Sequence, residues 1–161
     1  MRKFEKISLE QWTKDVTKMN PSYSEKYDEI ILPKRATSKS AGYDLYSPIS
    51  ITLKPDEQVM IPSGLKVNMD EDDVMLILIR SSLGIKKHIS IPNQTGVIDA
   101  DYYNNPDNEG HFWICLKNNG TEDFVINQGD RISQALFFKY QKVVDDEPIT
   151  ESRNGGFGST N

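Results

Sequence analysis

An arginine, three glycines, one aromatic ring and two hydroxyls crowd into the final nine residues, Arg153-Asn154-Gly155-Gly156-Phe157-Gly158-Ser159-Thr160-Asn161. Glycine lets a backbone approach a ligand closely. A guanidinium forks onto phosphate oxygens, successive backbone N–H groups cradle them, and a phenyl ring covers a flat base. Read as chemistry, the segment is a lid for a polyphosphate carried on a planar ring. Without that chemistry it is a polar chain end. Arg153 and Phe157 favour the lid, and interior segments carry groups suited to the same ligand.

Four such segments stand out: Ala41-Gly42-Tyr43-Asp44-Leu45, Arg80-Ser81-Ser82-Leu83-Gly84, Gly96-Val97-Ile98-Asp99-Ala100-Asp101-Tyr102 and Gly129-Asp130-Arg131-Ile132-Ser133-Gln134. Asp99 follows two β-branched residues, so a strand end presents its carboxylate. Beside phosphate, such a group gains proton affinity and can orient and deprotonate water. Taken alone it serves equally well as a turn carboxylate, and Asp101 suits the local hydrogen bonds of a hairpin. Arg80 and Ser81 follow an apolar strand and precede Gly84, a good place to present donors to phosphate. Tyr102 by itself reads as packing, and Asn93 as a polar loop residue.

A scaffold must bring these groups together. The chain has 161 residues, enough for one domain with a sizeable core. Short apolar runs recur at Ile49–Leu53, Val59–Ile61, Leu65–Met69, Val74–Ile79, Ile89–Ile91, Phe112–Lys117, Phe124–Ile126 and Ile132–Phe138. Turn residues such as Pro62-Ser63-Gly64 and Asn118-Asn119-Gly120 separate them, which predicts an all-β sandwich or barrel. No long helical pattern intervenes, so a parallel α/β sheet is not expected. Upstream, Ser8 followed by Gln11 is a capping-box signal, with Leu9, Trp12, Val16 and Met19 at helical spacing and Pro21 as the expected stop. That predicts a short amphipathic helix lying on the body, or alternatively a partner-recruiting one.

Composition excludes several classes. A net charge of −5 does not suit nucleic acid as the main partner, although Arg80, Arg131 and Arg153 suffice for a small polyphosphate. The longest apolar run, Val74–Ile79, is too short for a membrane span, and the first residues lack the apolar stretch of a signal peptide. One cysteine excludes an internal disulfide and fits a cytoplasmic setting. His88 and His111 have no partner at metal spacing and read as loop or core residues. Trp12 and Trp113 read as packing, and Cys115 as buried or at a subunit contact. The run Asp70–Asp73 reads as an acidic hairpin tip rather than a calcium loop.

In order and spacing, the five segments resemble the trimeric dUTPase family, which hydrolyses dUTP to dUMP and pyrophosphate. The likeness spans about Leu32 to Thr160. It implies an all-β, distorted jelly-roll β-barrel over residues 28–144, a helical extension over 1–27, and a linker with a mobile Gly-rich C-terminal lid over 145–161. It makes Asp99 the residue that activates water for in-line attack on the α-phosphorus. Tyr102 would pack on deoxyribose and leave no room for a 2′-hydroxyl. Asn93 and the backbone of Gly96, Val97 and Ile98 would read uracil, since a mismatched base buries an unpaired group at about 1–3 kcal/mol. Arg80, Ser81, Ser82 and Gln134 would contact the phosphates, and Arg131 would support the site by pairing with a carboxylate. Asp44 would bind Mg²⁺ through water, the ion being held mainly by phosphate oxygens. In the lid, Phe157 would stack on the base, Arg153 would grip the γ-phosphate, and Gly158, Ser159 and Thr160 would complete the contacts. The family's lid reaches a site formed mainly by two other subunits of a homotrimer.

Three features depart from the family pattern. Ser82 stands where glycine is usual, residues 103–109 form an insertion, and the tail has one residue fewer between its arginine and glycine pair. The related dCTP deaminases share the fold, but deamination needs a carboxylate on the strand Phe112–Lys117, which has none. A dUTP-gated regulatory protein is the alternative of another class, with residues 1–27 or the 103–109 insertion as contact surfaces for a protein partner.

Overall fold

The computed structural model describes residues 1–146 together with Gly155 and Gly156. The elements in order are β1 (Lys3–Lys6), α1 (Leu9–Val16), a 3-10 helix (Pro21–Glu29), β2 (Lys34–Arg35), β3 (Tyr43–Tyr46), β4 (Ile51–Leu53), β5 (Gln58–Pro62), β6 (Leu65–Asn68) and β7 (Asp73–Leu78). There follow α2 (Ser81–Lys87), β8 (Ile89–Ser90), β9 (Gly96–Asp99), a 3-10 turn (Ala100–Tyr102), β10 (Trp113–Asn118), β11 (Phe124–Ile126) and β12 (Arg131–Lys139). The fold is mostly β, as the apolar runs predict, and each of the eight expected runs contains or overlaps a strand.

The largest sheet has five strands in the order β2-β3-β12-β7-β9, with antiparallel neighbours. A three-stranded sheet β5-β10-β8 and the pairs β11-β4 and β1-β6 complete the walls. Alternation drives the assembly. Met75 and Ile77 of β7 point inward, as do Ile114 and Leu116 of β10, and they meet Leu45, Leu53, Ile61, Ile126 and Ala135 in one core.

The N-terminal segment is built into this body. β1 pairs with β6 and carries Phe4 against Tyr43 and Phe137, with ring centroids 5.6 and 5.5 Å away. Ser8 caps α1 by accepting from the Gln11 N–H, as the sequence predicts. Two helix details differ from expectation. Leu9 and Met19 are exposed, and only Trp12 and Val16 are buried apolar anchors. α1 also ends at Val16, before Pro21, which instead opens the next helix behind an Asn20 cap. Proline suits that first position because its missing N–H would have no helical partner there. Among the described residues, no helix is long and apolar enough to cross a membrane.

Candidate active site

Strand register sorts the candidate residues into two clefts. β12 lies between β3 and β7, with Gln134 opposite Asp44 on one side and Leu78 on the other. Arg80 and Ser81 emerge two and three residues beyond Leu78, where the chain turns into α2. Asp44, Arg80, Ser81, Ser82 and Gln134 therefore line one cleft of about 580 Å³, together with Ser40, Ala41 and Gly42. The bare Cα of Gly42 matters here. A Cβ would stand 2.5 Å from Gln134 Oε1, so a larger residue would expel the amide that faces the cleft.

Charge organises this first cleft. Arg80 Nε lies 3.0 Å from Asp44 Oδ1, and Arg131 Nη1 lies 3.3 Å from Asp44 Oδ2. Two guanidiniums and one carboxylate leave one net positive charge beside Ser81, Ser82 and Gln134. The pairing of Arg131 with a carboxylate matches the reading of the sequence. The link between Asp44 and Arg80 was not anticipated. Ser82, in place of glycine, sits in the first turn of α2, a backbone conformation that any residue adopts.

The second cleft, about 310 Å³, lies between β9 and β10. Register pairs Gly96 with Ile77 and Asp99 with Val74, so β9 presents Gly96, Val97, Ile98 and Asp99 along one wall. Asn93 and Thr95 line the approach, and Tyr102, Trp113 and Cys115 close the far side. Trp113 and Cys115 were expected to pack or to face a subunit. They are half-buried and line the cleft, because their neighbours Ile114 and Leu116 occupy the core face of the same strand. Burial pushes the Cys115 thiol pKa up. His88 ends α2 in a left-handed conformation and lines neither cleft.

Tyr102 is buried, and its hydroxyl donates to the His111 carbonyl at 3.1 Å. Gly156 sits against this ring in its own chain; a Cβ there would be 2.9 Å from Tyr102 Oη. Arg153, Phe157, Gly158, Ser159 and Thr160 lie outside the described residues.

His111 is fully buried. Its Nε2 accepts the Gly64 N–H at 2.9 Å, so the ring proton sits on Nδ1, 2.6 Å from Asp15 Oδ2. Burial holds the imidazole pKa below its usual value, with Asp15 opposing the shift. Burial raises the Asp15 pKa, but hydrogen bonds from His111 and Gln11 outweigh it and leave the carboxylate lower than usual.

The two clefts are well separated within one chain. Asp44 belongs to the row through Gln134 and Leu78, and Asp99 to the row through Val74 and Phe138. Four residues along β12 span about 13 Å and three strand spacings about 14 Å, placing the two Cα atoms about 20 Å apart.

Among the described residues, no group of three His, Cys, Asp or Glu side chains could cage a metal. Asp44 has one guanidinium on each oxygen. Each oxygen keeps a second lone-pair site, which suits a metal-bound water rather than direct ligation. The residues thus fit an outer-sphere magnesium held mainly by phosphate.

A small antiparallel β fold with an arginine–serine cleft and a strand-borne carboxylate beside a pyrimidine-sized cleft defines a nucleotide-binding β domain. The model of the dUTPase family matches residues 28–161, and the chain belongs to that family. It is 44% identical over 132 residues to deoxyuridine 5'-triphosphate nucleotidohydrolase of Lactococcus lactis, covering 81% of this chain and 88% of that protein. The enzyme of the same name from Rickettsia felis is 39% identical over 135 residues, with 80% and 87% covered. Among solved structures, dUTPase from Streptococcus mutans superposes with a TM-score of 0.71 at 35% identity, covering 87% of this chain and 97% of that one. A mutant dUTPase from phage phi11 of S. aureus, described with a coordinated structural Mg(II) ion, shares the fold with a TM-score of 0.68 at 21% identity; 94% and 97% of the chains are covered.

Proposed function

We propose that this chain hydrolyses dUTP to dUMP and pyrophosphate, with the nucleoside in the Tyr102 cleft and the triphosphate in the Arg80 cleft. The observation that carries the reading is the division of the candidate residues by strand register into a base-and-sugar set and a phosphate set. Asp99, at the rim of the nucleoside cleft, orients a water and takes its proton as the oxygen attacks the α-phosphorus. The bond to the bridging oxygen breaks and pyrophosphate leaves, steadied by Ser81, Arg80 and Gln134. Backbone groups of Gly96 to Ile98 with Asn93 read uracil, and the Tyr102 ring packs on the sugar. Asp44 would hold Mg²⁺ through water, and the ion would supply charge neutralisation on the phosphate oxygens.

The separation of about 20 Å between Asp44 and Asp99 supports a shared site. One triphosphate cannot span both within a single chain and still place its first phosphorus beside the Asp99 water. Completion by a neighbouring copy removes the conflict, and a homotrimer with sites shared between subunits is the arrangement we infer. Exposed Val125, Phe138 and Tyr140 offer apolar surface for such contacts. A lone half-buried cysteine suits a cytoplasmic enzyme.

Pyrophosphate release should be measured with dUTP, dCTP, dTTP and UTP, with and without Mg²⁺. Turnover should be confined to dUTP and stimulated by the cation. Asp99→Asn should lower kcat by about 10²–10⁴-fold while dUTP still binds. Intact turnover in that variant would overturn the assignment, and ammonia released from dCTP would favour deamination instead.

A further inference from the structure

The 103–109 insertion is wired to Tyr102 of the nucleoside cleft through two asparagine side chains. Asn108 Nδ2 donates to Tyr102 Oη at 2.7 Å and to the His111 carbonyl at 3.2 Å. Its Oδ1 accepts from Asn105 Nδ2 at 2.8 Å and from the Gly110 N–H at 3.0 Å. This assignment has a single solution, because a backbone N–H can only donate and a carbonyl can only accept. Asn105, itself buried, donates to the Tyr102 carbonyl at 2.9 Å. The tyrosine is therefore gripped at both ends, its backbone by Asn105 and its hydroxyl by Asn108 and the His111 carbonyl.

The gripping loop is in turn fixed to the N-terminal segment. Glu109 accepts from both the N–H and the hydroxyl of Ser8, and Lys66 Nζ lies 3.2 Å from it. Tyr103 donates to Glu5 at 2.6 Å, Lys14 donates to the Asp107 carbonyl at 2.9 Å, and Asp15 pairs with His111. These contacts bind the two segments to each other at the surface.

We propose that Asn108 is a positioning residue that stiffens Tyr102 and thereby sharpens selection of a deoxyribose over a ribose. The inference rests on the reading that the Tyr102 ring faces the sugar. Exclusion of a hydroxyl by packing depends on the wall not yielding, and a pliant apolar pocket rejects an added hydroxyl only by about 10². A ring whose hydroxyl is tied to Asn108 cannot retreat without breaking that bond.

The test compares kcat/KM for dUTP and UTP in the full-length enzyme and in Asn108→Ala, Tyr102→Phe and the double variant. Wild type should prefer dUTP. Asn108→Ala should lower that preference about tenfold through gain of UTP turnover, and should have no further effect in the Tyr102→Phe background, because coupled residues are non-additive. Asn108→Asp keeps the Oδ1 acceptor of the loop and turns the donor into an acceptor, to which the Tyr102 hydroxyl can swing and donate; the tie to the ring survives, so this variant's preference should stay closer to wild type than that of Asn108→Ala. An unaltered preference in Asn108→Ala, a loss in Asn108→Asp as large as in Asn108→Ala, or an equal loss with and without the tyrosine hydroxyl would overturn the proposal. A wild type that takes dUTP and UTP equally would instead remove the sugar-facing reading of Tyr102, and the proposal with it.

Discussion

The two clefts are built by opposite means. The phosphate cleft is held by charge: Asp44 sits between two arginines, and the Arg131 side chain is 48% exposed. The nucleoside cleft is held by packing and main-chain geometry, with strand-edge β9 on one wall and buried Tyr102 on another. Ion pairs near solvent add little stability, typically about 0–1 kcal/mol. That applies to the Arg131 pair; Asp44 itself is buried, so its arginines both take their aim from it and offset the cost of burying its charge. Shape selection, by contrast, needs walls that do not move, and Tyr102 is held at its hydroxyl by Asn108 and the His111 carbonyl.

That contrast predicts different failures. Asp44→Asn should strike hardest, raising the Mg²⁺ concentration for half-maximal turnover by about 10–100-fold and lowering the melting temperature, since Arg80 loses its counter-charge; titrating the cation in a pyrophosphate assay reads the first effect directly. An unchanged Mg²⁺ requirement would mean that the carboxylate serves only its arginines.

The support of the nucleoside cleft should fail through stability and pH. Below the ordinary histidine pKa of 6.5 the unfolded chain binds a proton that buried, neutral His111 resists. Folding stability is thus fully present above that pH and is lost as the pH falls below it. Melting curves across this range should show the loss, and His111→Gln should flatten it. The smallest effect is expected at the far wall. Cys115→Ser should leave kcat within about twofold, since burial keeps the thiol protonated at neutral pH.

How far each region was legible follows from the range of its contacts. Alternation and turn residues located strands β5, β7, β10 and β12 to within two residues, because those signals are local. The short α2 escaped notice because Ser81, Ser82 and Gly84 carry weak helix propensity; its ends are set by the strands either side. Trp113 and Cys115 could have been suspected. On a strand whose even-numbered residues are core, the odd-numbered ones must face something else. The pairing of Asp15 with His111, 96 residues apart, has no such local trace. Neither has the grip of Asn108 on a tyrosine hydroxyl, because the insertion reads only as a polar turn.

The Nδ1 proton that His111 donates to Asp15 sits on a fully buried ring, and the accepting carboxylate is largely covered. A proton so enclosed exchanges slowly and resonates far downfield, apart from the crowded amide region of an NMR spectrum. The molecule therefore carries its own beacon for whether the leading helix is docked, readable without substrate, label or turnover.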